Sequence, residues 1–450
     1  MHPSCRSENG QIIVVFVVAL VAILALTALA IDGGLTMSDR RYAQAAADAA
    51  ALGGAGAAAV QIENAQVTYT NFSCSSDAVS EAMTAASQGA INAAAANNFP
   101  GLNNDDDSNP DNEMHGIEVV CVDNPAHFDR HIDVIATLTT ESAGSFTQLF
   151  NNGPLSNTVT AVVRVRPPTP LAMGNAIVAF SPQPGNKRGG LSFQGNAVLH
   201  VTDGGMFSNA QIVAVGSNNV WVHDDQGDVM SGSVACLEDC DINSDDFDPD
   251  PIDLCAQADN CPDMRIQPAE IPEPACPTHS SGVINTSGTY EPGTYDGARI
   301  LNKDDVYLKP GLYCIDGMMQ INDGSFTSLP GGVTFFMRKP GGDWNITGGD
   351  INLAAPSTPE EVQNGSILGV LIYVQNGNTN ELKIEGNGTG TYSGLIYAKD
   401  AGLYVRGTSA GDFMGQILVK YLDNSGTNEM TVRFEDNTNL GDPTYLDVIR

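Results

Sequence analysis

Basic residues are scarce in this chain of 450 residues: 20 Lys and Arg stand against 53 Asp and Glu, a formal charge of −33. Neutralising phosphates takes clustered Lys and Arg, so the composition argues against a nucleic-acid partner. It suits a self-repelling surface that meets divalent cations. None of the nine cysteines forms a Cys-x-x-Cys pair, the spacing a structural zinc site prefers. No histidine follows His279, so Gly407-Thr408-Ser409-Ala410-Gly411, which matches the nucleophile-elbow pattern, lacks its downstream base and reads as a turn. Asp423-Asn424-Ser425-Gly426-Thr427 imitates a metal-dependent adhesion loop, but too little chain follows it for the α/β domain such a loop requires. The glycines at 386, 388 and 390 have no helix beside them to receive a phosphate, and read as corners.

What the chain does hold is an uninterrupted apolar run, Ile12 to Ile31, with no charge, Gly or Pro. As a helix rising about 1.5 Å per residue it spans roughly 30 Å, enough to cross a bilayer with Ile12, Phe16, Leu20, Leu24 and Ile31 along its length. A cleaved signal is the competing reading, but its apolar core is usually about 7 to 15 residues followed by a small-residue cleavage site. This run ends instead at Asp32-Gly33-Gly34 and leads into an alanine-rich stretch. Cys5 alone precedes the span. Cys74, Cys121, Cys236, Cys240, Cys255, Cys261, Cys276 and Cys314 form an even set beyond it, which favours disulfides and an oxidising, extracytoplasmic location. Arg6 on one side is balanced by Arg40 and Arg41 on the other, so the cysteines set the orientation: N-terminus cytoplasmic, bulk outside.

Leu35 to Val60 is rich in alanine, the best helix former, and predicts one helix leaving the bilayer and continuing into water. Ala45/Ala49/Gly53 and Ala46/Ala50/Gly54 place small residues four apart, which lets a helix approach closely. A partner's helix and a stalk packed on its own domain are both open at this point. The series Gly10-Gln11, an apolar span, Asp32-Gly33-Gly34, then Arg41-Tyr42-Ala43-Gln44 through Asp48 to Leu52 resembles the N-terminal segment of tight-adherence (Flp) pilus-assembly proteins of the TadG type. That resemblance covers about the first 55 residues. It implies a single-pass membrane protein assisting a pilus or adherence apparatus, meeting other pilus-assembly or secretion components through the N-terminal helix. Prepilin peptidase substrates carry glutamate five residues after the glycine, whereas Val15 stands there after Gly10. The segment is therefore expected to be retained.

Residues 61–166 predict a small α/β unit. Its parts are a helix Ser80 to Ala96, an acidic loop Asn103 to Glu113, strands Ile117 to Val122 and His131 to Thr139, a short helix near Phe146 to Phe150 and a strand Thr158 to Val165. The resemblance implies the same order. Cys74 and Cys121, its only cysteines, are paired as a clasp. His127 and His131 are four apart, but the chain turns to strand at His131, so both are expected as exposed loop histidines.

Pro167-Pro168-Thr169-Pro170 is a stiff linker, and past it no helical period survives. Gly369, Gly394 and Gly415, spaced 25 and 21 residues apart, each open a short apolar strand followed by a second strand and a Gly/Asn turn. A β-type period of this size predicts a solenoid, best a parallel β-helix, with a β-sandwich as the alternative. A Cys- and Pro-rich insertion occupies about 230–290, where six cysteines including Cys314 leave the pairing open. Within it Asp241, Asn243, Asp245, Asp246 and Asp248 alternate as in a calcium loop, although the glycine and glutamate of an EF-hand are missing. No other cofactor is expected. The expected domains are a tip and anchor over 1–33, a TadG-like part over 34–166, the β-helix-like part over 167–440 and a tail over 441–450. The expected function is non-enzymatic: a tethered protein assisting a tight-adherence pilus. The alternatives are a glycan-binding surface adhesin and a carbohydrate-active β-helix enzyme whose base would be Lys399, Arg406 or Lys420. Intact mass spectrometry of the mature protein is expected to find the apolar segment in place. A mature N-terminus at Gln11 would mean processing as a pilin.

Overall fold

The computed structural model describes residues 11–102, 116–124, 129–142, 154–183, 189–224, 226–229, 234–238, 240, 246–255, 265–278, 281–386, 389–407, 410–434, 440–441 and 443–449. Its chain divides into two compact units, one of Met1–Asp123, Asp129–Pro167 and Thr444–Arg450, the other of Asn124–Phe128 and Pro168–Pro443.

The first unit is built on α1 (Gln11–Asn64), a helix of 54 residues that runs without a break through five glycines. Two of them have a packing reason. A Cβ on Gly53 would stand 2.7 Å from that of Ala93, and one on Gly54 would stand 2.6 Å from the carbonyl oxygen of Ala86. Both neighbours belong to α2 (Asp77–Ala96), which Ser76 caps by accepting from the Val79 amide. The small-residue stripe is thus filled by the chain's own second helix, settling which of the two readings applies. Beside the helices lie β1 (Gly116–Asn124), β2 (Asp129–Ser142) and β3 (Leu155–Arg166), in spatial order. Ile132, Val134, Ala136 and Leu138 alternate along β2 and are fully buried with Ala43, Ala47, Ala50 and Ala51 of α1. Small side chains on the helix let sheet and helix approach, and the apolar rows exclude water between them. Cys74 and Cys121 are disulfide-bonded, fixing the segment before α2 to β1. The acidic loop and the short helix expected near Phe146 lie outside the described residues.

The expected C-terminal tail is a strand. Tyr445–Ile449 pairs antiparallel with β3, Arg166 opposite Tyr445 and Val162 opposite Ile449. Its alternating Tyr-Leu-Asp-Val-Ile composition has high β-propensity, but its pairing partner lies almost three hundred residues earlier.

The second unit consists of three parallel sheets of ten, nine and ten strands among the described residues. Successive strands visit the sheets in rotation. Leu395–Ala398 lies in the first, Leu403–Gly407 in the second and Ala410–Met414 in the third, and the chain then returns to the first with Ile417–Val419. Each strand pairs with its counterpart one circuit away, so Leu395 to Ala398 lies beside Ile417 to Val419 and Leu403 beside Leu422. The strands opened by Gly369, Gly394 and Gly415 are neighbours in the first sheet. Inward positions repeat across circuits: Leu191, Leu422, Leu403, Leu382, Trp344 and Met319 form one continuous row, all buried. Gly390, expected at a corner, is in fact an inward position in the strand Thr389–Ser393, aligned with Ile351 and Gly411. A Cβ there would press within 2.6 Å of the Tyr392 ring, which stacks on Phe413 with centroids 4.9 Å apart. Asp423 to Ser425, which imitate an adhesion loop in sequence, lie inside the strand Leu422–Gly426, because the chain has already turned at Lys420 and Tyr421.

Stacking order departs from sequence order at one place. Ile417–Val419, Leu422–Gly426 and Glu429–Arg433 pair with Asn175–Ala179, Gly190–Gly195 and Val198–Thr202. The last circuit therefore lies on the first. Circuits after Thr202 stack outward from that junction to Phe247–Asp248, whereas those from Val283 onward begin at the far end and work back. The connecting segment crosses the outer face of the first sheet. Asn209 exchanges two hydrogen bonds with Ile266, Tyr397 donates to the Ala269 carbonyl, and Tyr373 donates to that of Ile271. Farther along, Cys276 is bonded to Cys314, and Thr294 donates to Pro277. Ile266 and Ile271 bury themselves there against Phe336, Tyr373 and Leu418.

At the corner between the second and third sheets Gly386, Gly407, Gly426, Gly195 and Gly216 stand in one column, all at positive φ. A Cβ on Gly407 would lie 2.4 Å from the Gly386 carbonyl oxygen. Gly407→Ala is expected to cost about 1–3 kcal/mol, since alanine meets both the left-handed backbone and the neighbouring circuit. Gly56→Ala, where a Cβ meets nothing within 4 Å, is expected to leave stability unchanged or raise it. Thermal melts of the two variants check the contrast.

Candidate functional site

Helix α1 has two chemically distinct halves. From Ala43 to Ile62 one face of small residues, Ala43, Ala46, Ala47, Ala50, Ala55 and Ala58 among them, is buried in the first unit. From Ile13 to Ile31 its side chains, Ala28 excepted, are exposed: Phe16 is 65 % exposed, and Leu20, Leu24 and Ile31 are exposed as well. An exposed apolar run of this length is costly in water and is the natural occupant of a bilayer. It is the one described helix long and apolar enough to cross a membrane. Leucine, isoleucine and valine dominate because no neighbour in the chain needs to fit against them.

Asp32, at the end of this run, is 2 % exposed, while Gly33 and Gly34 have open space around them. Gln44 donates to Asp48 one turn on, at 2.9 Å, and Leu52 remains exposed. Gly10 and the side chains of Gln11 and Ile12 lie outside the described residues.

The other sequence candidates are dispersed. Asp241, Asn243 and Asp245 lie outside the described residues. Asp246 is buried, and Asp248 sits 3.5 Å from His223 Nε2. Among the described residues no three His, Cys, Asp or Glu side chains converge as metal ligands. Lys399 and Lys420 follow paired strands of the first sheet. Lys399 lines a recess of about 330 Å³ with Glu270, Glu273, Tyr373 and Tyr397 under the crossing segment. Arg406 lies in the second sheet, its guanidinium 4.5 Å above the Tyr404 ring and 3.0 Å from the buried Asp423 carboxylate. Cys236 is bonded to Cys240, and Cys255 is also in a disulfide whose other half lies outside the described residues, as does Cys261.

His131 corrects an expectation. Far from an exposed loop residue, it is 1 % exposed on β2. Alternation puts it on the face opposite Ile132, together with Asp129 and Asp133, so its burial comes from those neighbours and not from the apolar row. Its Nδ1 lies 2.8 Å from Asp129 and its Nε2 3.4 Å from Asp133. Asp133 in turn receives two hydrogen bonds from Arg164 of β3, at 2.9 and 3.0 Å. Burial pushes the imidazole pKa below its usual value, and the carboxylates only partly restore it. Burial also works to raise the Asp133 carboxyl, but the bonds from Arg164 hold it below its usual value. His127 lies outside the described residues. The strand predicted from His131 to Thr139 already held the signal that it is not a loop histidine, but its burial depends on Asp129 and Asp133 packing around it.

Residues 10–59 match the family model described as "Putative Flp pilus-assembly TadE/G-like". No curated protein and no solved structure matches the chain. The matched segment contains both halves of α1, the bare apolar one and most of the packed one.

With the His131 pKa depressed in the folded state, the unfolded chain binds the extra proton as pH falls through about 6.5. Stability of the first unit is expected to be full above that value, and to decline on acidification toward the folded-state pKa. Melting temperatures of the full chain in detergent between pH 7.5 and 5.5 should show this slope, and His131→Gln should flatten it.

Proposed function

We propose that this chain is a non-enzymatic, membrane-tethered protein that helps to assemble or anchor a tight-adherence (Flp-type) pilus from outside the cytoplasm. The observation carrying this reading is the coincidence, over residues 10–59, of the pilus-assembly match with a helix whose first half is bare and apolar. Because the alanine face of the second half is occupied by α2, contacts with other assembly components fall to the membrane-embedded half. There Ala19, Ala22, Ala25 and Ala28 recur three apart among bulky Leu, Ile and Val, a face on which a neighbouring helix could approach closely. The disulfides support an oxidising location for both units.

The second unit is read as a parallel β-helix of three faces. Rotation of consecutive strands through three parallel sheets supports this winding, and the parallel pairing speaks against a sandwich, whose sheets are antiparallel. Such a body is stiff along its stacking direction, and its acidic surface keeps it from adhering nonspecifically to its neighbours. Replacing residues 12–31 with an unrelated membrane span tests the role. Crosslinking and pull-down from membranes should recover pilus-assembly components with the native chain and lose them with the replacement, while protease added to spheroplasts removes the bulk of both. Unchanged recovery would overturn the role given to the helix, and protection from protease would overturn the topology.

A further inference from the structure

The three sheets of the second unit present different outer faces. The first is apolar and is covered by the crossing segment through Ile266 and Ile271. The third carries an outward row in continuous register that includes Tyr307, Thr327, Asn352, Asp412, His200 and Trp221. Tyr307 is 41 % exposed and Trp221 37 %, so neither ring is covered. Trp221 is backed by His200, the ring centroids 4.4 Å apart.

The charge on this face is one-sided. Among the described strands of the third sheet, Arg433 is the single Lys or Arg, against Asp248, Asp305, Asp350, Asp412 and Glu429. Asp248 is the register neighbour of Trp221 itself. An occupant must therefore be cationic, with flat faces for the exposed rings and hydroxyl or amide groups for Thr327 and Asn352. Strands repeat about every 4.8 Å, and a pyranose chain laid across them advances by roughly one such spacing per ring. An extended peptide presents same-side residues only every ~6.6 Å and drifts out of step with the rows. We propose that the outer face of the third sheet binds a linear polymer of hexosamines bearing free amino groups, Trp221 stacking on one ring and the flanking carboxylates pairing with the ammonium groups. This inference stands on the second unit alone and is independent of the pilus role.

Calorimetric titration of the full chain in detergent with a fully deacetylated glucosamine hexamer at pH 6 tests it. Saturable binding is expected, weakened by added salt and about 10-fold weaker for the N-acetylated hexamer, a difference of ~1.4 kcal/mol. Trp221→Ala should weaken binding about 10-fold, and Asp412→Lys should do so without touching an aromatic ring. Gln320→Ala, on a strand of the second sheet, should leave affinity unchanged. Melting curves separate lost binding from lost folding, and Asp412→Lys carries the test should Trp221→Ala fail to fold. No binding, equal affinity of Trp221→Ala and Asp412→Lys to the parent chain, or a lysine-rich peptide binding as tightly as the hexamer would overturn the proposal.

Discussion

Parallel main-chain pairing between successive circuits is the constraint from which the second unit follows. A single circuit of three short strands exposes its inner side chains above and below, and its amides and carbonyls have no partner within the circuit. Burial and hydrogen bonding therefore arrive together, only when another circuit lies on top in register. The row from Leu191 to Met319 and the column of glycines from Gly386 to Gly216 are two expressions of that one condition. An inward position must be apolar and must share its volume with the circuits on either side. Gly390 and Gly411 show the sharing directly, since their missing side chains leave room for the Tyr392 and Phe413 rings.

The same condition explains the crossing segment. Because the last circuit pairs with the first, the chain must leave one end of the stack and re-enter at the other. The path between is long, and a long unpaired segment would carry both entropy and exposed backbone. Here it is tied down at intervals by tyrosine hydroxyls, an asparagine side chain and a disulfide, while its isoleucines close off an apolar sheet face. One face is thereby lost to solvent and another, polar, is left open.

Much of this was legible from residue order alone. The 25- and 21-residue spacings of Gly369, Gly394 and Gly415 identified strands that are adjacent in space, because a repeat that buries its face on the next repeat must keep the same pattern. The long helix and the two strands flanking His131 to Val165 were readable from alanine content and alternation. Local periodicity says which side of a strand faces inward but not which circuit it meets, so the pairing of Ile417 with Ile177 had no local signature. Tyr445–Ile449 escaped for the same reason. His131 was misread because burial of a polar ring depends on Asp129, Asp133 and Arg164 arriving from two strands, a property of the assembled sheet.

The antiparallel pair of β3 with Tyr445–Ile449 has a bearing on how the molecule is made. Nearly the whole second unit is encoded between two strands that end up side by side, Arg166 against Tyr445. The four-stranded sheet of the first unit is thus completed along β3 by a strand that follows the second unit in sequence. A chain cut before Tyr445 leaves an open edge on β3, however well its earlier parts have folded. Sheet edges of that kind are templates for pairing with another chain, so Tyr445–Ile449 also keeps β3 from taking on a foreign strand.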